Sequence, residues 1–422
     1  RRAPALASMT ASPLRRARAR PEVLPDWILP TVFALVALAV WEGPARHLEP
    51  WSGVGLTDIP TYERSADASA AGQLPYRDIT LEYPPGAAAI FYLARFLPGD
   101  TYTDSFRMLM LGAWMLATAG AVAAAIALRC SQNRQVAVGA IMAATPLLLG
   151  SLIGTRYDAA VTAAFAWLLV AAVRQRWRWM WGLLVLAILL KLMPVILGPC
   201  LAIWQAHRVG WQATLRSVAG AAAALIALVV PVAIAAPSGL WAMVAYHLER
   251  PAQLESSASA AVLLWHLITG FPVSVVSSFG SQGPVGRLPE VLASLTTVAA
   301  FVLLLVIAGS YAWRVRRPGA AQTPGYLVAT LAGSIVVLAV GSKVLSPQYL
   351  LWFVPAVLLL PGRWGRIALV LMPALMLLTQ GYFPARYWDL VALAPYPIVL
   401  LVARDLLLIV LAVACWPRAP RP

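Results

Sequence analysis

Between Trp27 and Trp416 the chain is a succession of apolar runs, separated by short segments that hold most of its arginine. A helix needs about 20 apolar residues to cross roughly 30 Å of hydrocarbon. Inside that solvent every backbone N–H and C=O must be paired within the segment itself. A chain built of such runs is confined to a bundle of membrane helices. Composition agrees, because 61% of residues are hydrophobic and only 12% charged, against about 25% charged in soluble domains.

The run lengths predict ten spans, over residues 27–40, 106–128, 136–149, 159–173, 215–236, 291–313, 326–341, 349–360, 367–379 and 397–416. They make one membrane domain over 27–416, without internal repeats, flanked by a disordered basic tail at 1–26 and a short tail at 417–422. No secretory cleavage site follows the first run, so it is read as a retained helix. The run 84–97 is too short to cross and is expected in the interface.

The run 181–204 is long enough for one crossing, yet basic clusters flank both of its ends. One crossing would export a cluster, and Lys191 and Pro194 sit at its centre, where a charge is costly unless it faces a cavity. A broken re-entrant hairpin satisfies both constraints.

This topology sets the orientation. Counting Arg107 and Arg216, at span ends, with the side they adjoin, it puts 20 of the 32 Lys/Arg inside and ten outside, and leaves two within the membrane, Lys191 in the 181–204 run and Arg404 in a span. Fourteen of the 17 acids fall outside, two inside and one, Asp405, within a span. That is the positive-inside pattern, so the net charge of +15 reports orientation and implies no nucleic-acid partner. The outer loops are then 44–105, 150–158, 237–290, 342–348 and 380–396. Cys130, Cys200 and Cys415 lie in or beside apolar spans without metal-site spacing, and are expected to be structural thiols.

Polar residues concentrate in four of the outer stretches: 58–85, 154–158, 246–257 and 341–348. Together they offer the carboxylates Asp58, Asp78, Glu82, Asp158 and Glu255, the cations Arg156, Arg250 and Lys343, and His247. Carboxylates meeting phosphate-sized cations beside a bilayer suit chemistry on a membrane-held anion. Nucleotide-binding motifs are absent, and no acidic pair demands a divalent metal. Each residue has a structural reading as well. Asp58 precedes Ile59-Pro60 and can be a helix cap. Arg250 and Arg156 can pair with Glu255 and Asp158, and Tyr62, Tyr83 and Tyr349 can be packing.

The order Asp58-x3-Tyr62, Gly72-x2-Pro75-Tyr76-x-Asp78, Glu82-Tyr83-Pro84-Pro85 resembles the first outer loop of the family 87 glycosyltransferases. Arg156-Tyr157-Asp158, Lys191-x2-Pro194, His247-x2-Arg250-x4-Glu255-Ser256 and Lys343-x2-Ser346-Pro347-Gln348-Tyr349 are similar to later segments of that family. The resemblance spans nearly the whole chain. It implies an all-α C-type glycosyltransferase architecture and a polyprenyl-phosphate sugar donor, typically carrying mannose. An actinobacterial member acts on phosphatidylinositol mannosides, and the Arg-rich, Lys-poor composition suits such a source. The resemblance places the catalytic base at Asp58. Donor phosphate or sugar contacts are expected from Lys343, Arg250, Arg156, His247, Gln348 and Tyr62. Asp78, Glu82, Tyr83, Asp158, Glu255 and Lys191 are expected in support. No cofactor and no metal are expected, and the acceptor is a glycolipid or lipoglycan. A glycolipid or solute transporter, and a related arabinosyltransferase or polymer ligase, are the rival readings.

Overall fold

The computed structural model describes residues 25–45, 47 and 56–417. Most of the expected 1–26 tail, part of the first outer loop and residues 418–422 lie outside them. The described chain is a helical bundle with one two-stranded β-hairpin. Among the described residues, seven helices are long and apolar enough to cross a membrane: Ile28–Ala45, Tyr102–Ala127, Trp211–Ala235, Arg287–Val315, Pro324–Gly341, Gly362–Tyr382 and Pro395–Cys415. The chain therefore has the architecture of a multi-pass membrane protein.

Three segments expected as spans fall short of that measure. Gln132–Leu149 opens on the polar Gln-Asn-Arg-Gln, Asp158–Val173 has 16 residues, and Leu350–Val357 has eight. The last two are buried almost throughout. A helix enclosed by other helices need not match the hydrocarbon thickness, because protein satisfies its surroundings. At the opposite extreme, Trp211–Ala235 has none of its most apolar window buried; it turns its apolar surface outward, as a lipid-facing helix does.

The broken hairpin is present. Helix Trp177–Leu190 ends at Lys191, which is extended, and a 3-10 turn, Met193–Leu197, leads into helix Gly198–Val209. Trp181 Nε1 donates to Gln205 Oε1 at 2.6 Å, so the two arms run side by side and Lys191 is at the tip. Pro194 enters at the second position of the turn, where its missing N–H costs least.

Helix direction alternates so that Arg-rich segments gather at the end opposite that tip. There Arg174 pairs with Asp26 at 3.7 Å, Arg134 Nη2 donates to the Leu358 carbonyl at 2.7 Å, and Arg208 Nη2 to that of Gln322 at 2.5 Å. The tip end carries short pieces: helices Ile59–Ala70, Pro85–Ala94, Pro237–Glu249 and Ser257–Thr269. Pro85–Ala94 is the short, non-crossing helix expected over 84–97.

The β-hairpin, Ser274–Ser278 with Ser281–Val285, was not expected in an all-α chain. Its two-residue loop, Phe279-Gly280, has positive φ at both positions (48° and 65°), the backbone that matches the twist of paired strands. Close approach explains Gly239 at the same end, since a Cβ there would meet the Tyr76 carbonyl oxygen at 1.7 Å.

Candidate active site

The tip end encloses a cavity of about 650 Å³. Helix termini deliver its charges. Asp58 precedes Ile59–Ala70 and Asp158 opens Asp158–Val173, while Lys191 and Arg250 each follow a helix C-terminus. Carboxylates beside N-termini and cations beside C-termini both complement the helix dipole, so the polar cluster is consistent with the local fold.

Asp58 does not cap its helix with its side chain; the Ile59 amide is served by Thr57 Oγ1 at 3.1 Å. Its Oδ2 instead lies 3.2 Å from Arg156 Nε and accepts from the Tyr62 phenol at 3.3 Å. Among the described residues Oδ1 has no hydrogen bond. Asp58 is 37% exposed and Arg156 only 9%, so the carboxylate is reachable while the cation that orients it is not. Arg156 is fixed in turn by the Thr155 and Leu56 carbonyls, at 3.1 and 3.2 Å.

Tyr62 is fully buried and stacks on Phe91, with centroids 4.2 Å apart and planes at 13°. Phe106, Tyr83 and Tyr157 complete the aromatic group. Burial, with Tyr83 and Asp58 nearby, pushes the Tyr62 phenol well above its ordinary range, so it keeps its proton and donates to Asp58.

A second carboxylate holds the hairpin tip. Asp158, 1% exposed, accepts at Oδ1 from Lys191 Nζ and from Trp352 Nε1, each at 2.6 Å. The ammonium also lies 4.9, 5.2 and 4.7 Å from the ring centroids of Tyr157, Tyr349 and Trp352. An ammonium has three donors, so the Asp158 contact leaves two for an anion in the cavity.

His247 and Glu82 line the same cavity and meet through the Glu82 carbonyl, 2.9 Å from Nε2. A carbonyl only accepts, so Nε2 carries the proton. Burial lowers the imidazole's affinity for a second one, which leaves Nδ1 as an acceptor near neutral pH. Arg250, Glu255, Gln348, Tyr83 and Tyr349 also line the cavity. Arg250 Nε is buried and, among the described residues, without a hydrogen-bond partner.

Two residues expected at the site are not on the cavity wall. Asp78 is held by Arg77 at 3.0 Å and by the Leu74 amide at 2.8 Å, away from the cavity wall. Lys343 is also absent from that wall; its Nζ donates to the Leu248 carbonyl at 2.6 Å, and its own carbonyl accepts from the Gln253 amide at 2.8 Å. It joins two loops, and Lys191 is the lysine in the cavity. Replacing Lys343 by Met is therefore expected to lower stability modestly, by about 1 kcal/mol, as read by thermal unfolding in detergent. Binding of an anion in the cavity should change far less than in Lys191→Met.

Sequence reading missed Trp352, Gln253, Phe279, Phe383 and Tyr387, all on the cavity wall. The Phe279-Gly280 pair between two Val/Ser-rich stretches was the available hairpin signal. No protein-family model matches the chain, and no curated protein matches it.

Proposed function

We propose that the protein is a membrane glycosyltransferase that moves a sugar, mannose in the first instance, from a polyprenyl-phosphate donor to a glycolipid or lipoglycan hydroxyl at the outer face of the membrane. The observation that supports this most is the meeting of Asp58 with Lys191 and Arg250 around one cavity. The outer placement is supported by the Arg-rich segments at the opposite end, through the positive-inside rule.

Asp58 is the general base in this reading. It takes the proton of the acceptor hydroxyl as that oxygen attacks the anomeric carbon. The bond from that carbon to the phosphate oxygen breaks, and the polyprenyl phosphate leaves with inversion. Lys191 and Arg250 stabilise the charge gathering on the phosphate, the part of such work that preorganised cations do best. Arg156 is committed to Asp58. Lys343, placed outside the wall, is left out of the phosphate group, and Asp78 out of the support.

A glycolipid transporter is the rival, and it has one observation of its own. Arg404 and Asp405 are buried at the middle of Pro395–Cys415, and intramembrane ionisable groups often mark a transport path. Purified protein in vesicles, given radiolabelled polyprenyl-phosphate mannose and candidate glycolipids, separates the two. Labelled glycolipid is expected; transmembrane movement of label without product would establish the transporter instead.

A further inference from the structure

Glu255 is a buried carboxyl on the cavity wall to which the proposed chemistry gives no task. It lies between helices Pro237–Glu249 and Ser257–Thr269 and is 1% exposed. Its main chain is clamped from several sides. The Glu255 carbonyl accepts from Arg404 Nη2 at 2.6 Å, and Arg404 is itself fully buried. The Leu254 amide donates to the Gln282 carbonyl of the β-hairpin and the Gln253 amide to Lys343, both at 2.8 Å. Gln253 Oε1 accepts from Ser346 Oγ at 2.9 Å.

On this rigid mount, Glu255 Oε2 is buried and, among the described residues, has no hydrogen-bond partner. A buried polar atom left so is costly, more so if charged, and the cavity is where a partner can come from. Arg250 and Arg404 act on the carboxyl and repel a cationic ligand, while the carboxyl disfavours an anionic one. What remains is a neutral hydrogen-bonding group, and in the proposed reaction the groups of that kind are sugar hydroxyls.

We propose that Glu255 recognises the sugar, its Oε2 hydrogen-bonding one ring hydroxyl of the pyranose held in the cavity. This rests on the glycosyltransferase reading. The protonation behaviour fits: burial pushes the carboxyl up to about 7, so it can either accept from a hydroxyl or donate to one. A site that hydrogen-bonds a hydroxyl rejects the analogue lacking it far more strongly than a merely apolar pocket does.

The test uses the full-length protein with polyprenyl-phosphate mannose, its 2-, 3-, 4- and 6-deoxy forms, and acceptors lacking single hydroxyls. Wild type is expected to disfavour one of these analogues by about 100-fold or more in kcat/KM. Glu255→Leu should lose that preference, and Glu255→Gln should keep part of it. The main-chain bond from Arg404 does not involve the substituted side chain, so the Gln variant is expected to fold. A lost preference among the donors assigns the hydroxyl to the transferred sugar; one among the acceptors assigns it to the acceptor.

Equilibrium binding of the same compounds to Asp58→Asn protein, with and without Glu255→Leu, reads recognition without turnover. An absence of transfer by wild type, with Glu255-dependent binding preferences intact, overturns the transferase reading alone. Preferences that stay as in wild type in both Glu255 variants overturn the Glu255 assignment alone. Failure to bind any of the sugar lipids overturns both.

Discussion

Replacing Asp58 by Asn is expected to lower sugar transfer by about two to four orders of magnitude, the usual worth of a positioned general base. The protein should still fold and bind its donor. Asn keeps the volume of Asp and can still accept from Tyr62, so the Tyr62 stack on Phe91 is preserved. The variant loses the charge beside Arg156, a cation only 9% exposed. Some loss of stability therefore accompanies the loss of activity, and thermal unfolding must be measured beside turnover. The two effects separate through Arg156→Lys, which keeps a cation but not the fork that reaches the Leu56 and Thr155 carbonyls. That variant should be destabilised with a smaller loss of turnover. Full transfer by well-folded Asp58→Asn protein, with lipid-linked mannose as donor, would remove Asp58 from the chemistry.

What the sequence made legible follows from what local patterns can carry. Apolar run length located the long helices to within a few residues, because membrane spans are set by hydrocarbon thickness. The break at Lys191 was legible because a charge and a proline inside an apolar run, with basic flanks on both sides, conflict with one plain crossing. Asp158–Val173 and Leu350–Val357 read as spans because run length does not distinguish lipid from protein as the surrounding medium, whereas Gln132–Leu149, as long as Pro324–Gly341, falls short through its polar first turn. Leu350–Val357 is fully buried, and no feature of its eight residues announces that.

The site divides in the same way. Asp58, Arg156, His247 and Arg250 stand out as polar residues in apolar surroundings, and the fold brings them to one cavity. Trp352 reads as one more aromatic residue at a membrane helix; its bond to Asp158 joins positions 194 residues apart, which no periodicity encodes. Lys343 and Lys191 carry the same charge beside similar Pro-containing motifs. Which of them enters the cavity depends on the Leu248 carbonyl that takes up Lys343, and that contact belongs to the tertiary fold.

Asp158→Ala is expected to be the most destabilising single change at the site, by about 3–5 kcal/mol, the usual result of removing one partner from a buried ion pair. The carboxylate accepts from two donors on different elements, Lys191 Nζ at the hairpin tip and Trp352 Nε1. Its loss leaves an ammonium that is 17% exposed among three aromatic rings, and an indole N–H without its acceptor. Cation–π contacts are worth about 0.5–2 kcal/mol and do not offset an unpaired buried charge. Removing both charges should therefore recover much of the loss. Lys191→Met in the Asp158→Ala background is expected to unfold at a higher temperature than Asp158→Ala alone, since apolar replacement of a whole buried pair is often close to neutral. Activity should not recover with stability, because the double variant has lost the cation assigned to the donor phosphate. A double-mutant cycle on thermal unfolding, with transfer assayed on the same preparations, checks both halves. Additive stability effects would show that the pair is not coupled, and restored transfer in the double variant would take Lys191 out of phosphate stabilisation.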